Sequence, residues 1–234
     1  MSLPQQTALI TGGTKGIGFG IAASLLSQGV KVAITGRKQA SVNEAVKKLS
    51  SKGEVLGIVA DVRSLESQQN AVQQVLAKWG RLDVLVANAG AGFFSPIDEM
   101  TVDQWNETID TNLTGVFFSI KAAVESLKKT HGYLITLSSL AGANFFAGGA
   151  AYNASKFGLT GFTQAVMLDL RKFGIKVTTI MPGSVATEFN SQALRPEDAW
   201  KIQPEDIGQM VVDLLKMNPR TLPSKIEVRP TQPK

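Results

Sequence analysis

The 234-residue sequence has no cysteine. That absence excludes disulfides, thiol nucleophiles and thiolate metal sites. It has a single histidine, His131, which excludes a histidine-rich metal centre. His131 sits in KKTHGYLITLSS, at a helix end before an apolar strand, and reads as a surface residue. Acid–base chemistry therefore falls to Tyr, Lys, Asp or Glu. No apolar run reaches the roughly 18 residues of a membrane span, so no membrane partner is expected. The opening MSLPQQTALITGG has no basic segment ahead of an apolar run, and the closing TQPK matches no lipidation or retention signal. The chain is expected to be cytoplasmic. There is neither a basic stripe nor a basic–aromatic pattern, so no nucleic-acid partner is expected either.

One further absence is local. No Asp or Glu occurs before Glu44, although residues 1–60 carry Lys15, Lys31, Arg37, Lys38, Lys47, Lys48 and Lys52. With Glu44 and Glu54 this segment nets +5, and the other 174 residues balance at seventeen charges of each sign. The whole excess lies in the first quarter. Solvated helix faces account for part of it, and a phosphate-bearing ligand is the sharper reading.

What is present is regular. Short β-rich runs alternate with helical patterns: TALIT (7–11), KVAIT (31–35), VLGIVA (55–60), DVLVAN (83–88), YLITLS (133–138), KVTTIM (176–181) and KIEV (225–228). Segments such as SLESQQNAVQQVLAKWG place apolar residues three and four apart, as a helix requires. Strands alternating with helices imply right-handed crossovers and a doubly wound parallel sheet covered on both faces, an α/β fold. An apolar fraction of 44% and this length suit one globular domain over 1–234, with RPTQPK as a loose tail. In such a sheet ligands bind beyond the carboxyl ends of the strands.

Beyond the first strand stands TGGTKGIGFG, with glycines at 12, 13, 16, 18 and 20. Glycines permit a tight turn and close approach of phosphate to helix-start N–H groups. A plain tight turn explains such a cluster equally well. Beyond the second strand, Arg37 and Lys38 occupy the place where NAD-binding proteins keep a carboxylate, and Lys15 is available from the glycine turn. Cations with no opposing carboxylate suit the 2′-phosphate of NADP(H). Asp61 and Val62 follow the third strand and would contact an adenine. Asn88, Ala89 and Gly90 follow the fourth and would allow close approach to a ribose, although turn chemistry also favours these residues.

One of only two tyrosines, Tyr152, lies four residues before Lys156 in AYNASKFG, so the two share a helix face. A free phenol, with a pKa of about 10, exchanges protons poorly near neutrality, and a neighbouring ammonium lowers that value. Ser138 and Ser139 follow the fifth strand, and Asn112 begins a helix in DTNLTGVFF. A serine hydroxyl there could hold a carbonyl oxygen toward a hydride donor.

With TGGTKGIG (11–18), NAG (88–90), Asn112, SS (138–139), YNASK (152–156) and PGSVAT (182–187) in this order, the chain resembles the short-chain dehydrogenase/reductase family along essentially its whole length. The resemblance implies a Rossmann-like sheet of seven parallel strands. Its cofactor-binding part would be about 1–150, and its catalytic and substrate part about 112–234. It implies a tetrad of Asn112, Ser139, Tyr152 and Lys156. Tyr152 would be the general acid or base, and Ser139, rather than Ser138, would hold the carbonyl oxygen. Lys156 would bind the nicotinamide ribose and lower the Tyr152 pKa, and Asn112 would keep a water for a proton relay. Gly12, Thr14, Lys15, Gly16, Ile17 and Gly18 would face NADP(H), as would Arg37 and Lys38, and Pro182, Gly183, Val185 and Thr187 would fix its carboxamide and pyrophosphate.

The implied reaction is NADPH-dependent reduction of a ketone to a secondary alcohol, without a metal. Phe94, Phe145 and Phe189 would line the substrate pocket, with Phe93, Phe146, Leu194, Trp200 and Ile202 as further apolar candidates. Core packing or subunit contacts explain phenylalanines as readily. The substrate would be a small or medium carbonyl compound with an aromatic or acyl part. The alternative is a 3-oxoacyl-carrier-protein reductase acting on an acyl thioester. Lys128, Lys129, Arg171 and Lys172 suit an acidic carrier, but Thr130 and Phe173 are not basic. A non-catalytic NADP-binding scaffold is a further alternative, which the filled tetrad disfavours. Helices at roughly 112–128 and 152–172 would pair two subunits in a homodimer or homotetramer.

Overall fold

The computed structural model describes residues 3–189 and 195–232. Leu194 and the end of the RPTQPK tail lie outside the described residues. Seven strands form one parallel sheet: β1 (Thr7–Ile10), β2 (Lys31–Gly36), β3 (Val55–Val59), β4 (Val84–Ala87), β5 (Tyr133–Leu137), β6 (Lys176–Pro182) and β7 (Lys225–Val228). Their order is β3-β2-β1-β4-β5-β6-β7. The order reverses between β1 and β4, where Ala8 faces Val84 and Ile10 faces Val86. That switch point opens a crevice at the carboxyl edge.

Helices cover both faces, because a parallel sheet exposes two apolar surfaces. Successive strand side chains point opposite ways. Ala8, Ile10, Ile135 and Leu137 thus pack with α1 (Gly16–Ser27) and α7 (Pro204–Lys216) through Ile21, Leu25, Ile207 and Val211. Leu9, Leu85, Leu134 and Val177 face the other way. They meet α3 (Leu65–Trp79), α5 (Gly115–Thr130) and α6 (Ala150–Leu170) at Val75, Ile120, Leu127 and Leu159. The remaining long helices are α2 (Gln39–Leu49) and α4 (Val102–Ile109). Among the described residues no helix is long and apolar enough to cross a membrane.

One expectation is corrected. Asn112 does not begin a helix: α4 runs through a π-helical turn, Asp110–Thr114, straight into α5. Asp, Thr and Asn favour caps because their side chains bond the local backbone. Here the Asn112 amide bonds outward instead, donating to Ala91 O (2.8 Å) and Ser155 Oγ (3.0 Å) and accepting from Ala91 N (2.8 Å). Such π-turns recur at functional sites.

Candidate active site

The glycine cluster divides into two jobs. Gly12 (φ +64°) and Gly16 (φ +56°) take left-handed backbone that shapes the turn. Gly13, Gly18 and Gly20 permit packing: a Cβ there would fall within 2.7 Å of Ile34, Asn88 or Pro204 respectively. Gly18 thus sits in the wall behind the cavity. Asn88 fastens the turn to β4, its Nδ2 donating to Thr11 O (2.9 Å) and Gly12 O (3.0 Å). Lys15, the residue ahead of α1, supplies no capping side chain. The first-turn N–H groups of α1 therefore keep their capacity for an anion.

These groups open onto a cavity of about 540 Å³ at the carboxyl edge of the sheet. Of the residues expected from sequence, Gly12, Thr14, Lys15, Gly16, Ile17, Arg37, Asp61, Val62, Asn88, Ala89, Gly90, Pro182, Gly183, Val185 and Thr187 line it. So do Ser139, Tyr152, Lys156, Phe94 and Phe189. Lys38 lines an adjoining cavity that shares Lys15, Arg37 and Thr187. Sequence reasoning missed Thr35, Gly36, Ala60, Leu137 and Ser184, which line the same cavity. Each stands at or just beyond a strand's carboxyl end, which is the signal that could have found them.

Phe145 is placed elsewhere. It is 87% exposed and outside the cavity. Its neighbour Phe146 is also partly exposed and outside the cavity, but it is tethered: its N–H donates to Asn153 Oδ1 (3.3 Å) and its ring lies 5.7 Å from that of Phe94. Asn153 holds the loop, also donating to Ala141 O and Asn144 O at 2.8 Å.

A second correction is electrostatic. The cations beside the glycine turn do meet carboxylates: Arg37 Nη1 lies 3.6 Å from Glu107 and Lys15 Nζ 3.7 Å from Glu188. The chain brings these acids from α4 and from the loop after β6, far away in sequence. Both pairs are largely exposed and hold their cations weakly. Asp61 forms a fork with Arg63, at 2.6 Å to Nη2, which holds its carboxyl below the usual range.

The reactive group expected on α6 is half-buried Tyr152. Ser138 also borders the cavity, but its hydroxyl is committed to Thr160 Oγ1 (2.9 Å) and Lys156 O (3.2 Å). Ser139 faces the cavity. Burial pushes the Tyr152 phenol up, and its hydrogen bond with the Ser139 hydroxyl acts the other way. Lys156 is buried, donates from Nζ to Leu137 O (2.9 Å), and stands 5.6 Å from the Tyr152 ring centre. Burial brings its ammonium down to about 8. The expected acidified phenol is therefore replaced by a phenol raised by burial, because desolvation of both groups dominates here.

A doubly wound Rossmann-like sheet with an uncapped glycine turn, paired cations and a Ser–Tyr–Lys group at its switch point defines a nucleotide-dependent type of oxidoreductase. A sequence model of the short chain dehydrogenase family matches residues 6–198. An uncharacterized oxidoreductase of Staphylococcus saprophyticus is 31% identical over 98% of this chain and 99% of its own. Among solved structures, an alcohol dehydrogenase from the archaeon Thermococcus sibiricus, complexed with 5-hydroxy-NADP, superposes with a TM-score of 0.91. It is 28% identical, over 98% of this chain and 99% of that one. A metagenomic short-chain oxidoreductase in complex with NADP gives a TM-score of 0.86 and 33% identity over the full length of both chains. This chain belongs to the short-chain dehydrogenase family and is an oxidoreductase.

Proposed function

We propose that the protein reduces a ketone or related carbonyl compound to a secondary alcohol with NADPH. The observation that carries this reading is the meeting of Ser139, Tyr152 and Lys156 in the same cavity as the glycine turn and Arg37. The residues fit the dinucleotide: Gly12 and Gly16 shape an uncapped helix start suited to a pyrophosphate, and the largely exposed cations Arg37 and Lys15 on the same cavity suit a 2′-phosphate. The NADP-bound relatives support the same choice. When bound, NADPH supplies the hydride that reaches the carbonyl carbon.

The protein's own groups manage the oxygen and the proton. Ser139 donates a hydrogen bond to the carbonyl oxygen and orients it. Tyr152 delivers its phenolic proton to that oxygen as negative charge builds there. A phenol raised by burial stays protonated at neutral pH, which suits the reducing direction. Lys156 keeps a positive charge behind the phenol and stabilises the phenolate left after transfer. Asn112 positions Ala91, in the cavity wall, against α6. A general carbonyl substrate is favoured over a carrier-bound one because Thr130 and Phe173, nearest the glycines that follow the two flanking helices, carry no charge, and two of the four nearby cations have partners of their own. Lys128 pairs with Glu125 at 2.7 Å, and both Lys128 and Lys172 lie over the Phe173 ring. Exposed Phe117, Phe157 and Leu168 on α5 and α6 support a second copy of the chain as partner.

Tyr152→Phe tests the reading. Loss of NADPH absorbance is followed with β-ketoesters, aryl ketones, quinones and acyl thioesters, and NADPH binding by fluorescence. The variant is expected to bind NADPH and turn over none of the panel. Wild-type rates in the variant would sink the mechanism, and turnover of acyl thioesters alone would favour the carrier-protein alternative.

A further inference from the structure

Two phenylalanine rings flank Tyr152 on the cavity wall, where a carbonyl would meet it. The Phe94 ring meets Tyr152 edge-on, with centres 5.3 Å apart and planes at 74°. The Phe189 ring is tilted by 55° at 5.9 Å. Phe94 is in turn supported by Phe146. The flanking pair depends on a residue with no side chain: a Cβ on Gly92 would lie 2.7 Å from the Phe189 ring and 3.2 Å from the Phe94 ring. Phe94 and Phe189 nevertheless remain 42% and 36% exposed. Large apolar faces left open on a cavity wall await a ligand that covers them.

We propose that Phe94 and Phe189 form an aryl-recognition subsite, so that the substrate is an uncharged ketone carrying a flat aromatic ring beside its carbonyl. The proposal rests on the ketone-reductase reading and names its substrate class. Flat rings at these tilts complement the edge and face of another ring, whereas a saturated ring of equal size gains contact area alone. Lys201, the next described residue after Phe189 along the cavity wall, is already paired, 2.7 Å from Asp198. A neutral substrate therefore meets no unmatched charge from it.

The test compares acetophenone with cyclohexyl methyl ketone, which share the carbonyl, the methyl group and the carbon count. Conjugation makes the aryl carbonyl intrinsically the less electrophilic, so a preference for it must come from the protein. Wild-type protein with NADPH is expected to favour acetophenone about tenfold in kcat/KM, the size expected of one or two ring–ring contacts. That ratio should collapse toward one in Phe94→Leu and Phe189→Leu and survive in Phe94→Tyr, each judged on protein that melts as wild type does. Equal kcat/KM for the two ketones in wild type overturns the subsite and leaves ketone reduction standing. Turnover of neither, with the wider carbonyl panel also left unreduced, overturns the reductase reading. In that case the dissociation constants of both ketones on NADPH-loaded Tyr152→Phe decide the subsite separately, and equal values overturn it.

Discussion

Replacing Lys156 with Met would remove a buried ammonium while keeping most of the side chain's volume, and the consequence can be worked through. Burial takes the Lys156 pKa from 10.5 to about 8, which corresponds to a folding penalty of about 3 kcal/mol at neutral pH. The folded protein holds this proton less tightly than the unfolded chain. Below about pH 8 both states are protonated and the penalty is present in full. Between 8 and 10.5 the unfolded chain binds more protons, so stability rises with pH until the penalty has gone. From pH 8 to pH 10 wild type should gain about 2 kcal/mol relative to Lys156→Met, which has no proton to release. Tyr133 and Tyr152 are pushed up by burial and act in the opposite direction, above their ordinary value of 10. Tyr133 is common to both proteins and cancels in the comparison. The assay is urea unfolding of the two proteins without cofactor, at one protein concentration and several pH values, with the m-value checked for constancy. Parallel stability–pH curves would refute the argument, because they would mean that the ammonium is solvated in the folded state.

Arg37→Asp removes a cation from the expected 2′-phosphate site and adds a repulsive carboxylate. NADPH should bind about 10- to 100-fold more weakly, with NADH little affected, as fluorescence titration would report. Asn112→Leu strands the half-buried Ala91 amide and carbonyl and should cost about 2 kcal/mol of stability in urea unfolding. Sedimentation velocity at micromolar concentration should show a dimer or tetramer, and a monomer alone would remove the subunit role given to α5 and α6.

The elements legible in the sequence are those fixed by short-range periodicity. Alternating β-rich runs and helical patterns gave all seven strands to within a residue or so at their ends, since the side-chain period of a strand or helix is a local property. The glycine turn, the serine pair and the Tyr152–Lys156 spacing were legible for the same reason. The first two lie in strand-end segments and the third within a little over one turn of α6, and the rule that ligands sit beyond strand carboxyl ends brings the strand-end segments together. Ser139 was separable from Ser138 only through the family spacing, and the structure adds that Ser138 is committed to Thr160 and Lys156 O.

The rest depended on which distant residues meet. Glu107 and Glu188 reach Arg37 and Lys15 from segments 70 and 173 residues further along the chain. A scan for local carboxylates could not register them. Two consecutive phenylalanines look alike in sequence, and the Asn153 anchor and the Phe94 ring decided that Phe146 packs against Phe94 while Phe145 stays 87% exposed. Nor could spacing alone set the protonation of Tyr152 and Lys156. Proximity argued for an acidified phenol, but the loss of water around both groups raised one pKa and lowered the other. Desolvation is summed over everything packed around a group, and only the tertiary structure determines that sum.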